Sequence, residues 1–244
     1  MIISTRYRFI FLHINRTGGG SISETLRPFG TQPVRSAWTR FLTRYHIIRH
    51  LERANFPPHL TARMLETRLP RGLFDEYLSA AFVRNPFSWI VALYNAIQKS
   101  EGHRHQSRVA CMSGFPEYVD WEIRRNKRSI SRFVTDPDGR LMVDFIGRFE
   151  NLHNDFNRLC LTIGIAPMEL LHAKTQRPHA DYRSYYTDET REKVAHHWKR
   201  DIEAFGYDFD GLIDPQRLPP RRRAPKPELL SNDVQTSEPT SHID

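Results

Sequence analysis

Phe9-Ile10-Phe11-Leu12-His13-Ile14 is apolar but for His13, and it breaks off into Asn15-Arg16-Thr17-Gly18-Gly19-Gly20-Ser21. Apolar character continued over so few residues predicts a strand buried on both faces, as in a parallel sheet covered by helices. Three of the chain's 12 glycines follow together. Ser21 with Glu24 fits a capping box, which predicts that a helix starts at Ser21. A strand running through a Gly-rich turn into a helix suits an anion. Backbone N–H groups converge there, and the helix end adds about half a positive charge. Arg16 supplies a full charge, and Thr17 and Ser21 offer hydroxyl donors. The plainer alternative is a tight turn before a capped helix.

Outward from this unit, Arg27 to Arg71 is basic and broken by prolines 28, 33, 57, 58 and 70, with Leu60–Leu69 predicted helical. Ser79-Ala80-Ala81-Phe82-Val83-Arg84 is the second strand, stopped by Asn85-Pro86, and Trp89, Leu93, Ala96 and Ile97 then recur at helical spacing. Residues 100–135 are polar and read as a surface excursion around a helix near Tyr118–Arg125. Asp136-Pro137-Asp138-Gly139 is a turn leading into a strand over Leu141–Gly147. Asn151 can cap a helix with Leu152, Phe156, Leu159, Cys160 and Ile163 on one face, ending at Gly164. A last helix is predicted from Thr187 to Gly206, with Val194, Trp198 and Ile202 inward. Strands alternating with helices predict an α/β sandwich whose sheet is mainly parallel.

Length and charge bound the function. The chain has 244 residues, suited to one domain, and 15 Phe, 9 Tyr and 4 Trp argue against disorder of the whole. Two cysteines exclude a disulfide framework and a zinc cluster, and Cys111 and Cys160 read as inert core thiols of a reducing compartment. No apolar run approaches the ~18 residues of a membrane span, and no signal-peptide pattern opens the chain. Residues 215–244 hold six of the 16 prolines and the run Arg221-Arg222-Arg223; they read as a solvated, disordered tail beyond a single domain over 1–214. The formal charge is +8, of which the tail carries +1. That surplus fits an anionic partner: nucleic acid, a phosphate cofactor or an acidic sugar.

The nucleotide P-loop spelling G-x-x-x-x-G-K-[ST] is absent, because no lysine precedes Ser21. Asp144 sits where it could imitate a magnesium-binding aspartate, but a P-loop kinase also needs that lysine.

Phe9 to Ile22 resembles the F-h-h-H-I-P-K-T-G-G-T-S loop of the carbohydrate-type sulfotransferases (sulfotransferase family 2-like). Four further stretches follow in that family's order. Ala81-Phe82-Val83-Arg84-Asn85-Pro86 with Tyr94-Asn95 is similar to F-V-R-N-P-x-x-R-x-x-S-x-Y-N, and Phe145 to Leu152 to F-I-G-R-F-E-N-L. Tyr182–Tyr186 and Asp201–Phe209 resemble its closing Y-R-x-Y-Y and D-x-x-x-F-G-Y-x-F. The resemblance spans roughly residues 7–210 and implies a P-loop-like three-layer α/β sandwich with a central, mainly parallel sheet. It also implies transfer of a sulfuryl group from 3′-phosphoadenosine 5′-phosphosulfate (PAPS) to a hydroxyl of a carbohydrate or glycan, with no metal. On this resemblance Asn15, Arg16, Thr17, Gly18, Gly19, Gly20 and Ser21 would hold the 5′-phosphosulfate, and Arg84 the 3′-phosphate. Arg16 stands at the family's catalytic lysine position.

The chain departs from the pattern at Arg16, which keeps the charge but cannot deliver a proton. It departs again at Asn15, Gly20, Trp89 and Ala92, the last two replacing an arginine and a serine. A non-catalytic relative that binds PAPS or its desulfated product is therefore the alternative reading. For the acceptor's base, His59 leads, because in the 2-O-sulfotransferase relatives the base histidine comes from the interval between the two donor segments. His13 is the loop candidate; His103, His105 and Glu24 follow. Arg148 and Glu150 read as a structural ion pair. Lys174-Thr175 matches a polar donor-side loop, and Arg40, Arg44, Arg49 and Arg53 form either a guide for an acidic acceptor or a solvated helix face. The remaining expectations are an acidic glycan rather than nucleic acid, a cytoplasmic location without the membrane anchor of secretory relatives, and peripheral membrane contact through the basic face.

Overall fold

The computed structural model describes residues 1–31, 56–57, 59–126, 129–171 and 181–222. The predicted strand forms as β2, Phe9–Leu12, buried at every position. An unpredicted strand, β1 (Ile2–Ser4), pairs antiparallel with it, Ile2 opposite Phe11. Parallel to β2 run β3 (Leu78–Val83) and β4 (Phe145–Arg148), in the order β1-β2-β3-β4. The architecture is thus the expected α/β sandwich with a mostly parallel sheet flanked by helices.

Because successive strand residues point to opposite faces, each strand feeds two cores. Ile10, Leu12, Ala81 and Val83 pack into one. Helices α2 (Ala62–Arg68), α3 (Leu73–Glu76), α4 (Pro86–Lys99), α6 (Phe115–Arg125), α9 (Asp188–His197) and α10 (Lys199–Phe205) contribute to it. Phe9, Phe11, Ala80, Phe82 and Phe145 pack into the other, against α1 (Gly19–Thr25) and α8 (Leu152–Thr162). Two short helices, α5 (Gln106–Ala110) and α7 (Ser131–Val134), join the excursion around α6.

Several local expectations are corrected. Helix α1 starts at Gly19, not Ser21, because Gly18 takes a left-handed conformation (φ 83) at the cap and no side chain caps the helix. The predicted capping box is therefore unmade. The last helix is two, α9 and α10, meeting at Trp198. The apolar run 141–144 precedes β4 rather than forming it. It is buried by residues 220–222: Leu141 N donates to Pro220 O, Arg222 N to Leu141 O, and Arg221 Nη1 to Asp144 O at 2.8 Å. Arg222 also pairs with Glu66 of α2. Arg221 and Arg222, expected in a solvated tail, are thus docked on the body, where carbonyls and a carboxylate outcompete water for their guanidinium donors. Cys160 is buried as expected, whereas Cys111 is exposed. Among the described residues no helix is long and apolar enough to cross a membrane.

Candidate functional site

Three parallel strands deliver their C-terminal ends to one edge of the sheet, where open α/β sheets bind ligands. β2 leads into His13 and the Gly-rich loop, β3 into Arg84, and β4 into Phe149. These converge around a cleft of about 410 Å³ lined by His13, Asn15, Arg16, Gly18, Gly19, Gly20, Ser21, His59, Arg84 and Phe149. Residues proposed from separate stretches of sequence therefore share one cavity. Thr17 does not line it: its hydroxyl donates to Ile14 O at 3.0 Å and the residue is 1% exposed.

The loop is built so that side chains stay out of it. Gly18 is left-handed, and a Cβ there would meet Leu152 Cδ1 at 2.7 Å. A Cβ at Gly19 would meet His13 Cδ2 at 2.3 Å, so the imidazole lies directly against that backbone. Arg16 is also left-handed (φ 64), an uncommon state for a residue with a side chain.

Arg84 is held rigidly. Its Nε donates to Ser88 Oγ at 2.8 Å and its Nη1 to Arg16 O at 3.1 Å, and its guanidinium stacks 3.9 Å above the Phe149 ring. Burial lowers its pKa to about 10; Glu150 opposes that shift and Arg16 adds to it. Arg16 is likewise lowered by burial. Both stay charged at neutral pH, so two partly desolvated cations face one cleft, an arrangement that an anion relieves. Ser88 and Phe149 escaped the sequence reading, although each lies inside a motif it quoted.

Glu150 offsets part of the Arg84 charge from a distance, while neutral donors hold both its oxygens. Oε1 accepts from Asn85 N at 2.7 Å and Oε2 from Tyr207 Oη at 2.8 Å. Arg148 faces elsewhere, donating to the carbonyls of Phe205, Pro215 and Arg217. The two are structural as expected, yet not an ion pair with each other. Asp144, the imitator of a magnesium ligand, accepts from both N and Oγ of Ser79, which occupies Oδ2 away from the cleft.

The histidines separate clearly. His59 Nδ1 lies 3.0 Å from His13 O, and a carbonyl only accepts, so Nδ1 carries a proton and the neutral tautomer is the one with its lone pair on Nε2. The two rings meet edge to face at 4.9 Å. His105 packs edge-on against Trp121 at 5.2 Å, and neither His103 nor His105 nor Glu24 lines the cleft. Lys174-Thr175 and Arg40, Arg44, Arg49 and Arg53 lie outside the described residues.

Burial lowers the His13 pKa from 6.5 to about 4, with the Met1 ammonium and His59 adding to it. The unfolded chain therefore binds this proton below pH 6.5 and the folded protein only near 4. Stability is complete above 6.5 and declines as pH falls through that window. Allowing for the ring's partial exposure, the loss is about 1–2 kcal/mol. Urea denaturation at pH 7 and pH 4.5 should show this difference between wild type and His13→Asn; equal pH slopes would overturn it.

Comparison with known proteins adds a family. The model described as "Sulfotransferase family" matches residues 1–208. An uncharacterized protein of Archaeoglobus fulgidus is 31% identical over 113 residues, 46% of this chain and 87% of that protein. No solved structure matches the chain significantly.

Proposed function

Because the chain belongs to the sulfotransferase family, we propose that it transfers a sulfuryl group from PAPS to a hydroxyl of a carbohydrate or glycan. The observation that carries this reading is the convergence of two partly desolvated guanidinium groups, Arg16 and Arg84, on a glycine loop in one cleft. The carbohydrate acceptor rests on the likeness of the loop and its following segments to carbohydrate-type members, and the +8 surplus suits an acidic one.

When bound, PAPS supplies the sulfuryl group through its phosphosulfate bridge. Arg16 and N–H groups of residues 15–21 hold that end, and Arg84 holds the 3′-phosphate. Charge develops on the departing phosphate oxygen, where each preorganised donor is worth about 2–4 kcal/mol of barrier. Arg16 stabilises this charge while keeping its proton. His59 Nε2 takes the proton of the acceptor hydroxyl. His13, its basicity depressed, orients His59 through its carbonyl instead.

A thermal-shift titration with 3′-phosphoadenosine 5′-phosphate (PAP), the desulfated nucleotide, tests the donor site. At 100 times Kd we expect stabilisation of about 2.7 kcal/mol, or about 5–10 °C for a chain of this size. Adenosine 5′-phosphate, lacking the group assigned to Arg84, should give a smaller shift. No shift of folded protein at millimolar PAP would sink the reading.

A further inference from the structure

Trp89 is 1% exposed on α4, in the core beneath the loop, and its Nε1 donates to Asn15 O at 2.7 Å. Among the described residues every peptide bond is trans, so a carbonyl and the following N–H point in opposite directions. A carbonyl drawn inward by a buried indole therefore turns the next N–H, that of Arg16, outward. Asn15, Arg16 and Gly18 line the cleft, whereas Trp89 lies in the core. On either side, Ile14 O accepts from Thr17 Oγ1 at 3.0 Å and Arg16 O from Arg84 Nη1 at 3.1 Å. Three successive carbonyls are thus each held by a different donor. The segment so held contains Arg16 in its left-handed conformation (φ 64), which the chain adopts only when its surroundings enforce it.

We propose that Trp89 is a positioning residue of the anion loop: its indole N–H, not its ring volume, fixes the Asn15–Arg16 peptide so that Arg16, in its left-handed backbone conformation, presents both its N–H and its side chain to the bound anion. This rests on the donor reading of the cleft. Breaking the one hydrogen bond leaves Asn15 O without its donor and lets the peptide rotate, which weakens the loop's grip without touching the core's apolar contacts.

The test compares wild type, Trp89→Phe, and protein carrying benzothienylalanine at 89, which keeps the bicyclic shape and lacks the N–H. PAP binding is measured by calorimetry well below the melting temperature. Both replacements should raise the PAP Kd about tenfold, whereas 4-fluorotryptophan, which retains the N–H, should leave it unchanged. With an acceptor in hand, the KM for PAPS rises more than kcat falls. A residue serving only the core would lower the melting temperature of Trp89→Phe and leave the benzothienylalanine protein's Kd at the wild-type value. That result, with wild type binding PAP, would overturn the proposal and leave the donor reading standing. Failure of wild type itself to bind PAP would overturn both.

Discussion

Arg16→Ala should lower sulfuryl transfer about 100- to 1,000-fold while the protein stays folded. Arg16 borders the open cleft rather than the core, so its removal opens no core cavity. Its carbonyl, which Arg84 uses, survives the substitution. What is lost is the fixed charge beside the leaving phosphate, and that interaction grows as charge develops. The fall should therefore appear in kcat more than in donor affinity, which Arg84 and the loop amides continue to support. Arg16→Lys should retain most of the rate and add a decline at alkaline pH, because lysine titrates where arginine does not. Initial rates of labelled-sulfate transfer from PAPS to a panel of glycans measure this. Equal rates in wild type and Arg16→Ala would remove Arg16 from the mechanism. Binding of PAP with transfer to no glycan would favour the non-catalytic reading that arginine at this position raises.

The loop was legible because its chemistry is local. Buried-strand apolarity, three adjacent glycines and a neighbouring cation are all visible within 14 residues, and the structure puts them at the end of β2. Arg84 and His59 were legible only through resemblance. Nothing in their own neighbourhoods announces that β3 and the turn before α2 end beside that loop; parallel pairing of β2 with β3 does it. Trp89 was read correctly as a core residue in place of the family's arginine, but its contact with the loop was not legible, since its indole reaches Asn15 across 74 positions and no sequence window contains both. The start of α1 was missed for a different reason. Ser21 with Glu24 is a sound capping signal, but left-handed Gly18 opens the helix earlier, placing Ser21 in its first turn on the cleft wall. The docking of residues 220–222 was hidden because proline and arginine composition reads as solvated, whereas Leu141, Asp144 and Glu66 supply partners for Pro220, Arg221 and Arg222.

Gly19→Ala and Gly20→Ala, adjacent substitutions in one helix, should act in opposite directions. Alanine is favoured over glycine within a helix by about 0.5–1 kcal/mol, so chain entropy alone predicts stabilisation at both. At Gly20 a Cβ meets nothing within 4 Å, and that gain should appear as a rise of about 1–4 °C in melting temperature. At Gly19 the Cβ arrives 2.3 Å from His13 Cδ2 and 2.8 Å from its Nε2. The ring has little room to retreat, with the His59 ring 4.9 Å away. Overpacking costs about 1–3 kcal/mol, which exceeds the helical gain and makes Gly19→Ala net destabilising. The larger effect is on function. Displacing His13 disturbs the carbonyl that orients His59 and presses the ring over the loop's N–H groups, and a misplacement of about 1 Å can cost on the order of 100-fold in rate. Transfer in Gly19→Ala should fall by about that factor, with PAP affinity reduced about tenfold. Shrinking the obstacle should reverse the stability loss, so His13→Ser combined with Gly19→Ala should melt above Gly19→Ala alone, a coupling that a double-mutant cycle isolates. Additive melting temperatures across that cycle, or a Gly19→Ala protein as stable as Gly20→Ala, would show that His13 does not bear on the loop as this packing requires.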